Sequence, residues 1–237
     1  MPEAAAAGSG LVERLGRLDT PSVSDALDRL GLAGVVTGIG PMWTCGRVAG
    51  RVGTVRLGLA EPGAGPPSRH LGTAAIAAAE PGDVIVVDNE AAQGRAAGWG
   101  GLLGLAARLR GVAAVVVAGA CRDVDDLAEV GMPIFARSAT PRTARGRVVE
   151  VAQGEPLELS GVRVEPGDLV LADRSGVVFV PAARATEVIE VAEGLADWEA
   201  RMAEALRGGA AVTEVLGRGY ERMSRPAGAG EKEPRDE

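Results

Sequence analysis

Residues 112–121, "VAAVVVAGAC", form an unbroken apolar run rich in valine, and the five residues after it bring in Arg122, Asp123, Asp125 and Asp126. A half-exposed strand alternates polar and apolar side chains. A short continuous run bounded by Gly111 and by charge therefore predicts a strand covered on both faces. Such strands belong to parallel sheets, whose neighbours are joined by helical crossovers. The flanking sequence fits this reading. "VIVVD" (84–88) is a second buried strand, and "NEAAQGRAAGWGG" is a glycine-rich loop. That loop opens onto a helix, "LLGLAARLRG", in which Leu102, Leu105 and Leu109 fall at helical spacing before the valine run begins. Strand, loop, helix and strand make a βαβ crossover.

The rest of the chain alternates in the same α/β manner. "DTPSVSDALDRLG" predicts a short helix with Thr20 as N-cap, Pro21 at the first helical position and Gly31 at its stop. Residues 46–59 lean towards β structure, and Gly50 and Gly53 predict a bend or bulge there. An alanine-rich helix is expected from His70 to the "EPGD" turn. "PIFA" (133–136) predicts a strand, and "GVRVEPGDLVLADRSGVVFVP" predicts three, turning at Pro166-Gly167 and Ser175-Gly176. A long amphipathic helix starts near Ala182, with Val188, Val191, Leu195, Trp198, Met202 and Leu206 on one face. Residues 1–10 and 223–237 have too little apolar content to order themselves and are expected to be disordered tails flanking one domain over 11–222.

Composition narrows the functional classes. A net charge of −7, with basic residues spread along the chain and few aromatics, argues against a nucleic-acid surface. No segment approaches the roughly 18 apolar residues of a membrane span, and the start carries no leader pattern, so a cytoplasmic protein without membrane contact is expected. Cys45 and Cys121 form neither a disulfide framework nor a CxxC pair, and they read as small buried hydrophobes. His70 is the one histidine, so metal sites built from two or three histidines within one chain are excluded. Its own position suits a capping or packing role.

In an open α/β sheet, ligands collect beyond the carboxyl ends of strands, and here two such ends are loaded, 88–101 and 119–126. The two loops are expected to face one pocket. "GWGGLL" puts free backbone N–H groups at a helix start, where a carboxylate is favoured. Arg122 offers a planar fork to the same anion, and Asp123 offers a hard oxygen to a cation such as Mg²⁺. Together these groups suit a metal-bound 2-oxo acid. A solvated helix cap and a glycine-started core helix would account for the same residues, so local pattern leaves both readings open.

The longer string resolves more. "WGGLLGLAARLRGVAAVVVAGACRDVDDLAEVGMPIFARSATPR" (99–142) resembles the central block of the RraA-like family, which includes the class II pyruvate aldolases acting on 4-hydroxy-4-methyl-2-oxoglutarate and 4-carboxy-4-hydroxy-2-oxoadipate. "TPSVSDALDRLG", "HLGTAAIAAAEPGDVIVVDN" and "VEPGDLVLADRSGVVFVP" are similar to that family too, in the same order, over about residues 11–222. The resemblance implies a swivelling β/β/α-type α/β domain with a long C-terminal helical segment. It implies a homotrimer or homohexamer with active sites between subunits, a small 2-oxo acid substrate, and Mg²⁺ or Mn²⁺ as cofactor. Asp123 would be the one direct protein ligand of the metal, and Arg122 would hold the pyruvyl oxygens. The backbone at Gly100, Gly101, Leu102 and Leu103 would bind the pyruvyl carboxylate. Glu199, from a neighbouring subunit, would approach metal-bound water. The implied activity is retro-aldol cleavage of a 4-hydroxy-2-oxo diacid, decarboxylation of oxaloacetate, or both, since both pass through a pyruvate enolate. The alternatives are a regulator of the RraA type, which binds RNase E without catalysis, and other metal-enolate chemistry on the same scaffold. One position departs from the pattern. Family aldolases carry an acid twenty-one residues before the motif arginine, and here that position is Gly101. Glu90, Asp125 or Asp126 is a candidate replacement, and Asp88 and Asn89 are also near a strand end.

Overall fold

The computed structural model describes residues 2–61, 63 and 69–217, and of residues 2–9 only the backbone. Helices α1 (Pro2–Arg17) and α2 (Thr20–Arg29) come first, then the two-residue strands β1 (Val35–Val36) and β2 (Gly40–Pro41), and the long strand β3 (Val48–Leu59). Three crossovers follow: α3 (Thr73–Ala78) leads to β4 (Val84–Asp88), α4 (Gly101–Arg110) to β5 (Ala114–Cys121), and α5 (Val124–Glu129) to β6 (Ile134–Ala139). Next come β7 (Val148–Gln153), a hairpin of β8 (Leu157–Leu159) and β9 (Val162–Val164), and the pair β10 (Leu169–Ala172) and β11 (Val177–Val180). The described chain closes with the 23-residue helix α6 (Ala185–Arg207) and the short α7 (Val212–Val215).

The main sheet runs β1-β11-β10-β3-β4-β5-β6-β2, with β7 also paired to β3. Its centre, β3 to β6, is parallel, and its flanks are antiparallel. All eight residues of β5 are buried, as the apolar run predicts. Val115 and Val117 pack with Trp99, Leu103 and Leu127 beneath the crossover helices. Ala114, Val116 and Ala118 pack on the opposite face with Phe135, Phe179 and the leucines of β8. A third cluster joins α1, α2 and α6 to β10 and β11. Covering both faces removes every polar alternation from β5, which is why its sequence reads as continuous.

Several local expectations shift by a residue or a turn. The cap of α2 is Asp19, whose Oδ1 accepts the Ser22 N–H at 2.9 Å; Thr20 is already helical and faces Asp173. The irregularity of β3 falls at Arg56/Leu57, against β7, not at Gly50 or Gly53. Gly50 answers a close approach instead, since a Cβ there would lie 2.5 Å from the Gly82 carbonyl oxygen. The helix expected from His70 begins at Thr73, because Gly72, its cap, holds a left-handed φ of 77°. In α4 the leucines at helical spacing face outward, Leu102 and Leu109 being 85% and 80% exposed. Its buried face is Leu103, Gly104 and Ala107, because α5 packs so close that a Cβ on Gly104 would overlap Leu127. The apolar face of α6 is buried through Leu195, and Trp198, Met202 and Leu206 beyond it are half-exposed. The backbone of α1 is helical from Pro2, where composition predicts a tail over 1–10. The tail expected over 223–237 lies outside the described residues.

Candidate active site

The site is assembled where β5 ends. On one side, the loop after β4 returns alongside it: Ala97 bridges Ala120, the Gly98 N–H donates to Ala120 O at 2.8 Å, and the Arg122 N–H donates to Trp99 O at 3.0 Å. On the other side, the Thr140 N–H donates to Cys121 O at 2.9 Å. Asn89, fully buried, holds the loop's shape by donating from Nδ2 to Ala96 O at 2.9 Å. Clamped from both edges, the chain can release Arg122 and Asp123 from the sheet in only one direction. Beneath them burial pushes the Cys121 thiol up to about 11, so it stays protonated and inert at neutral pH.

Asp123 caps α5 with φ 56° and ψ 43°, a left-handed conformation that costs a non-glycine residue on the order of 1 kcal/mol and concentrates at functional positions. The turn throws its carboxylate back over the start of α4. There Oδ2 accepts the Gly101 N–H at 3.0 Å and the Arg122 Nε–H at 3.1 Å. Oδ1 has no hydrogen-bond donor among the described residues. Gly100 is required by this approach, because a Cβ there would lie 2.8 Å from Asp123 Oδ2. The ion pair is 38% and 33% exposed, so it contributes little to stability and its members remain reachable.

Arg122, Asp123, Gly100, Gly101, Leu102 and Leu103 line a single cleft of about 90 Å³. His70, Trp99, Thr143 and Arg145 complete much of its wall. His70 therefore does more than cap: its carbonyl accepts from the Thr73 hydroxyl at 2.7 Å, while the residue itself stands at the cleft. Thr143 and Arg145 arrive from the loop after β6 and carry no local sequence signal of a site. The first-turn N–H groups of α4 have no acceptors within the helix, so the cleft presents amide donors and a guanidinium to an anion beside one carboxylate.

Other charged candidates lie elsewhere. Glu199, on α6, is near Asp19 and Asp25; burial, with those two charges adding, holds its carboxyl above the ordinary range, and it does not line its own chain's cleft. Glu90 accepts from Arg137 at 2.6 Å and from the Ser160 hydroxyl at 2.9 Å. Asp88 accepts the Glu90 N–H at 3.0 Å, and burial pushes its carboxyl up. Asp125 is exposed in the first turn of α5, and Asp126 lies against Gly101. Among the described residues no three His, Cys, Asp or Glu side chains converge as a metal cage. The open Oδ1 of Asp123 still suits Mg²⁺ or Mn²⁺, because such a cation keeps most of its water and takes one or two carboxylates plus substrate oxygens.

These features place the molecule among α/β proteins with a cleft at the carboxyl edge of a parallel sheet. The chain belongs to the RraA-like family, described as Aldolase/RraA, whose model matches residues 20–179. It is 33% identical over 190 residues to a Halalkalibacterium halodurans protein named "putative 4-hydroxy-4-methyl-2-oxoglutarate aldolase", covering 78% of this chain and 83% of that one. It is 29% identical over 211 residues to DlpA of Legionella pneumophila, covering 86% of this chain but only 33% of that protein's length. Among solved structures it resembles RraAS2 of Streptomyces coelicolor, an unusual member of the RNase ES inhibitor RraA protein family. That likeness has a TM-score of 0.71 at 28% identity and covers 80% of this chain and 93% of that one. The α/β class and the family expected from the motifs both stand. No described helix is long and apolar enough to cross a membrane.

Proposed function

We propose that the chain is a divalent-metal-dependent lyase that cleaves a C–C bond of a 4-hydroxy-2-oxo diacid to release pyruvate, or decarboxylates oxaloacetate, at the Arg122–Asp123 cleft. One observation carries the reading: a carboxylate with an open oxygen, a guanidinium and the amides of a helix start converge on one small cleft. Breaking the bond leaves negative charge on the keto oxygen of a pyruvate enolate, and catalysis requires positive charge fixed there in advance. Arg122 supplies it from the protein, leaving Asp123 Oδ2 to face the substrate. The Leu102 and Leu103 amides hold the pyruvyl carboxylate and orient the scissile bond. Asp123 would hold Mg²⁺ or Mn²⁺, which would supply Lewis-acid stabilisation of the developing charge. In a homotrimer or homohexamer, Glu199 of an adjacent copy completes the cleft from outside.

Relatedness to RraAS2 favours a second reading, a regulator that binds a protein of the RNA-processing machinery and does no chemistry. Coupled pyruvate detection separates the two. Purified protein with Mn²⁺ is expected to release pyruvate from oxaloacetate or a 4-hydroxy-2-oxo diacid, and EDTA to stop it. Equal rates with and without metal, or no release from any of these acids, would overturn the lyase reading.

A further inference from the structure

The start of α4 raises a question that its backbone does not answer. Gly101 has no positive φ, so its conformation is open to any residue, and glycine is among the poorest helix formers. Space is the reason for it. A Cβ at position 101 would lie 3.0 Å from Asp126 Oδ2, 3.2 Å from Asp126 Cβ and 3.3 Å from Asp123 Cβ. The Asp126 carboxylate thus reaches across from α5 into the volume that a side chain at 101 would occupy, next to Asp123. Gly100 and Gly101, side by side, make room for two aspartates that α5 offers one turn apart.

We propose that Asp126, whose carboxylate stands beside the cleft against Gly101, is a positioning residue that helps Asp123 retain the divalent cation; the proposal rests on the metal-dependent reading above. Competing acids are already committed: Asp88 to the Glu90 N–H, and Glu90 to Arg137 and Ser160. The Asp126 carboxylate accepts no hydrogen bond from the described residues; only its backbone carbonyl does, from the Val130 N–H at 3.1 Å, and the α5 cap is not made by a side chain, so the carboxylate is not spent on the helix. The neighbouring wall carries unspent capacity too. Trp99 is 1% exposed and lines the cleft, yet its Nε1–H has no acceptor among the described residues. Asp123 Oδ1 lacks a donor. The buried Trp99 donor and the Asp123 carboxylate line this cleft, and the Asp126 carboxylate stands at its edge, against Gly101. A carboxylate one layer out from a cation contributes through solvent hydrogen bonds and charge, commonly 10- to 100-fold in affinity.

Mn²⁺ titration followed by the EPR signal of free ion, alongside pyruvate release, tests this on the full chain. Asp126→Ala is expected to weaken Mn²⁺ binding about tenfold and to lower kcat with little change in KM for the oxo acid. Gly101→Asp alone is expected to weaken binding as well, because two carboxylates then contend for one volume. The combination, Gly101→Asp with Asp126→Ala, returns a carboxylate to that volume from α4 and is expected to recover most of the loss. A merely structural role would make the two losses add. Wild-type Mn²⁺ affinity in Asp126→Ala, or a double variant no better than Asp126→Ala, overturns the proposal. If the Gly101 variants do not fold, by circular dichroism, Asp126→Asn decides: weakened binding supports the role, and wild-type affinity overturns it. A chain that binds Mn²⁺ but releases no pyruvate removes the lyase reading and leaves the Mn²⁺ titrations to judge Asp126. A chain that binds no Mn²⁺ overturns both.

Discussion

Asp123 and Asp173 make the same interaction at different places in the fold, and the contrast between them separates support from chemistry. Each accepts the N–H of the first residue of a helix distant in sequence, Gly101 of α4 at 3.0 Å and Thr20 of α2 at 2.9 Å. Asp173 is saturated: Oδ1 also accepts the Thr20 hydroxyl at 2.7 Å and the Ser175 N–H at 2.8 Å. Burial pushes its carboxyl up, but the Thr20 and Ser175 hydrogen bonds, with the Arg47 charge, hold it below the ordinary range. Asp123 holds a left-handed backbone, spends one oxygen and leaves the other open. One carboxylate pins α2 to the β10–β11 turn. The other keeps one oxygen free of donors among the described residues, where a ligand can reach it.

Substitutions should split along that line. Asp123→Asn is expected to cut metal-dependent pyruvate release by at least about 100-fold, because it removes the charge that holds the cation. Its unfolding free energy from urea denaturation should stay within about 0.5 kcal/mol of wild type, since asparagine still accepts the Gly101 N–H and tolerates the left-handed region. Full activity in this variant would erase the contrast. Arg122→Lys should lose about 10- to 100-fold in kcat/KM, as an ammonium cannot reproduce a planar two-pronged contact. Asp173→Ala should do the reverse, costing about 2 kcal/mol in urea denaturation by stranding the donors of the nearly buried Thr20, with pyruvate release per folded molecule unchanged.

Acid should show the same division. A carboxyl depressed in the folded state stabilises fully above its unfolded value, near 4, and that contribution is lost as pH falls through the lower folded value. The wild-type urea midpoint is therefore expected to drop below about pH 4, and Asp173→Asn to flatten part of the drop. An identical slope in the variant would show that Asp173 is not a linchpin. Glu199 has the opposite sign. Its raised carboxyl costs stability at neutral pH and regains it on acidification, so Glu199→Gln should raise Tm slightly at pH 7 in scanning fluorimetry. An unchanged or lower Tm would mean that its surroundings are already relaxed around the charge.

Much of the site's placement is legible in the residue order. Adjacent parallel strands end on the same edge of a sheet, so a βαβ reading of residues 84–121 is enough to bring Gly100 to Leu103 beside Arg122 and Asp123. His70, Thr143 and Arg145 are not legible as cleft residues. They arrive on loops whose course depends on where α3 and β7 pack, and no periodicity marks them. The outward leucines of α4 mislead for a related reason. Hydropathy marks large apolar side chains, whereas the buried face is selected for smallness, Gly104 and Ala107 allowing α5 to approach.

By its sequence alone, the chain determines a parallel α/β centre, a doubly covered β5, and a helix start facing an Arg-Asp pair, because these follow from local pattern and from the geometry of crossovers. Only the packing of α4 against α5 decides that Asp126 lies against Gly101 beside Asp123, and which Asp123 oxygen is left without a donor among the described residues. That outcome depends on ångström-scale contacts at Gly100, Gly101 and Gly104, between segments that the sequence keeps some twenty residues apart.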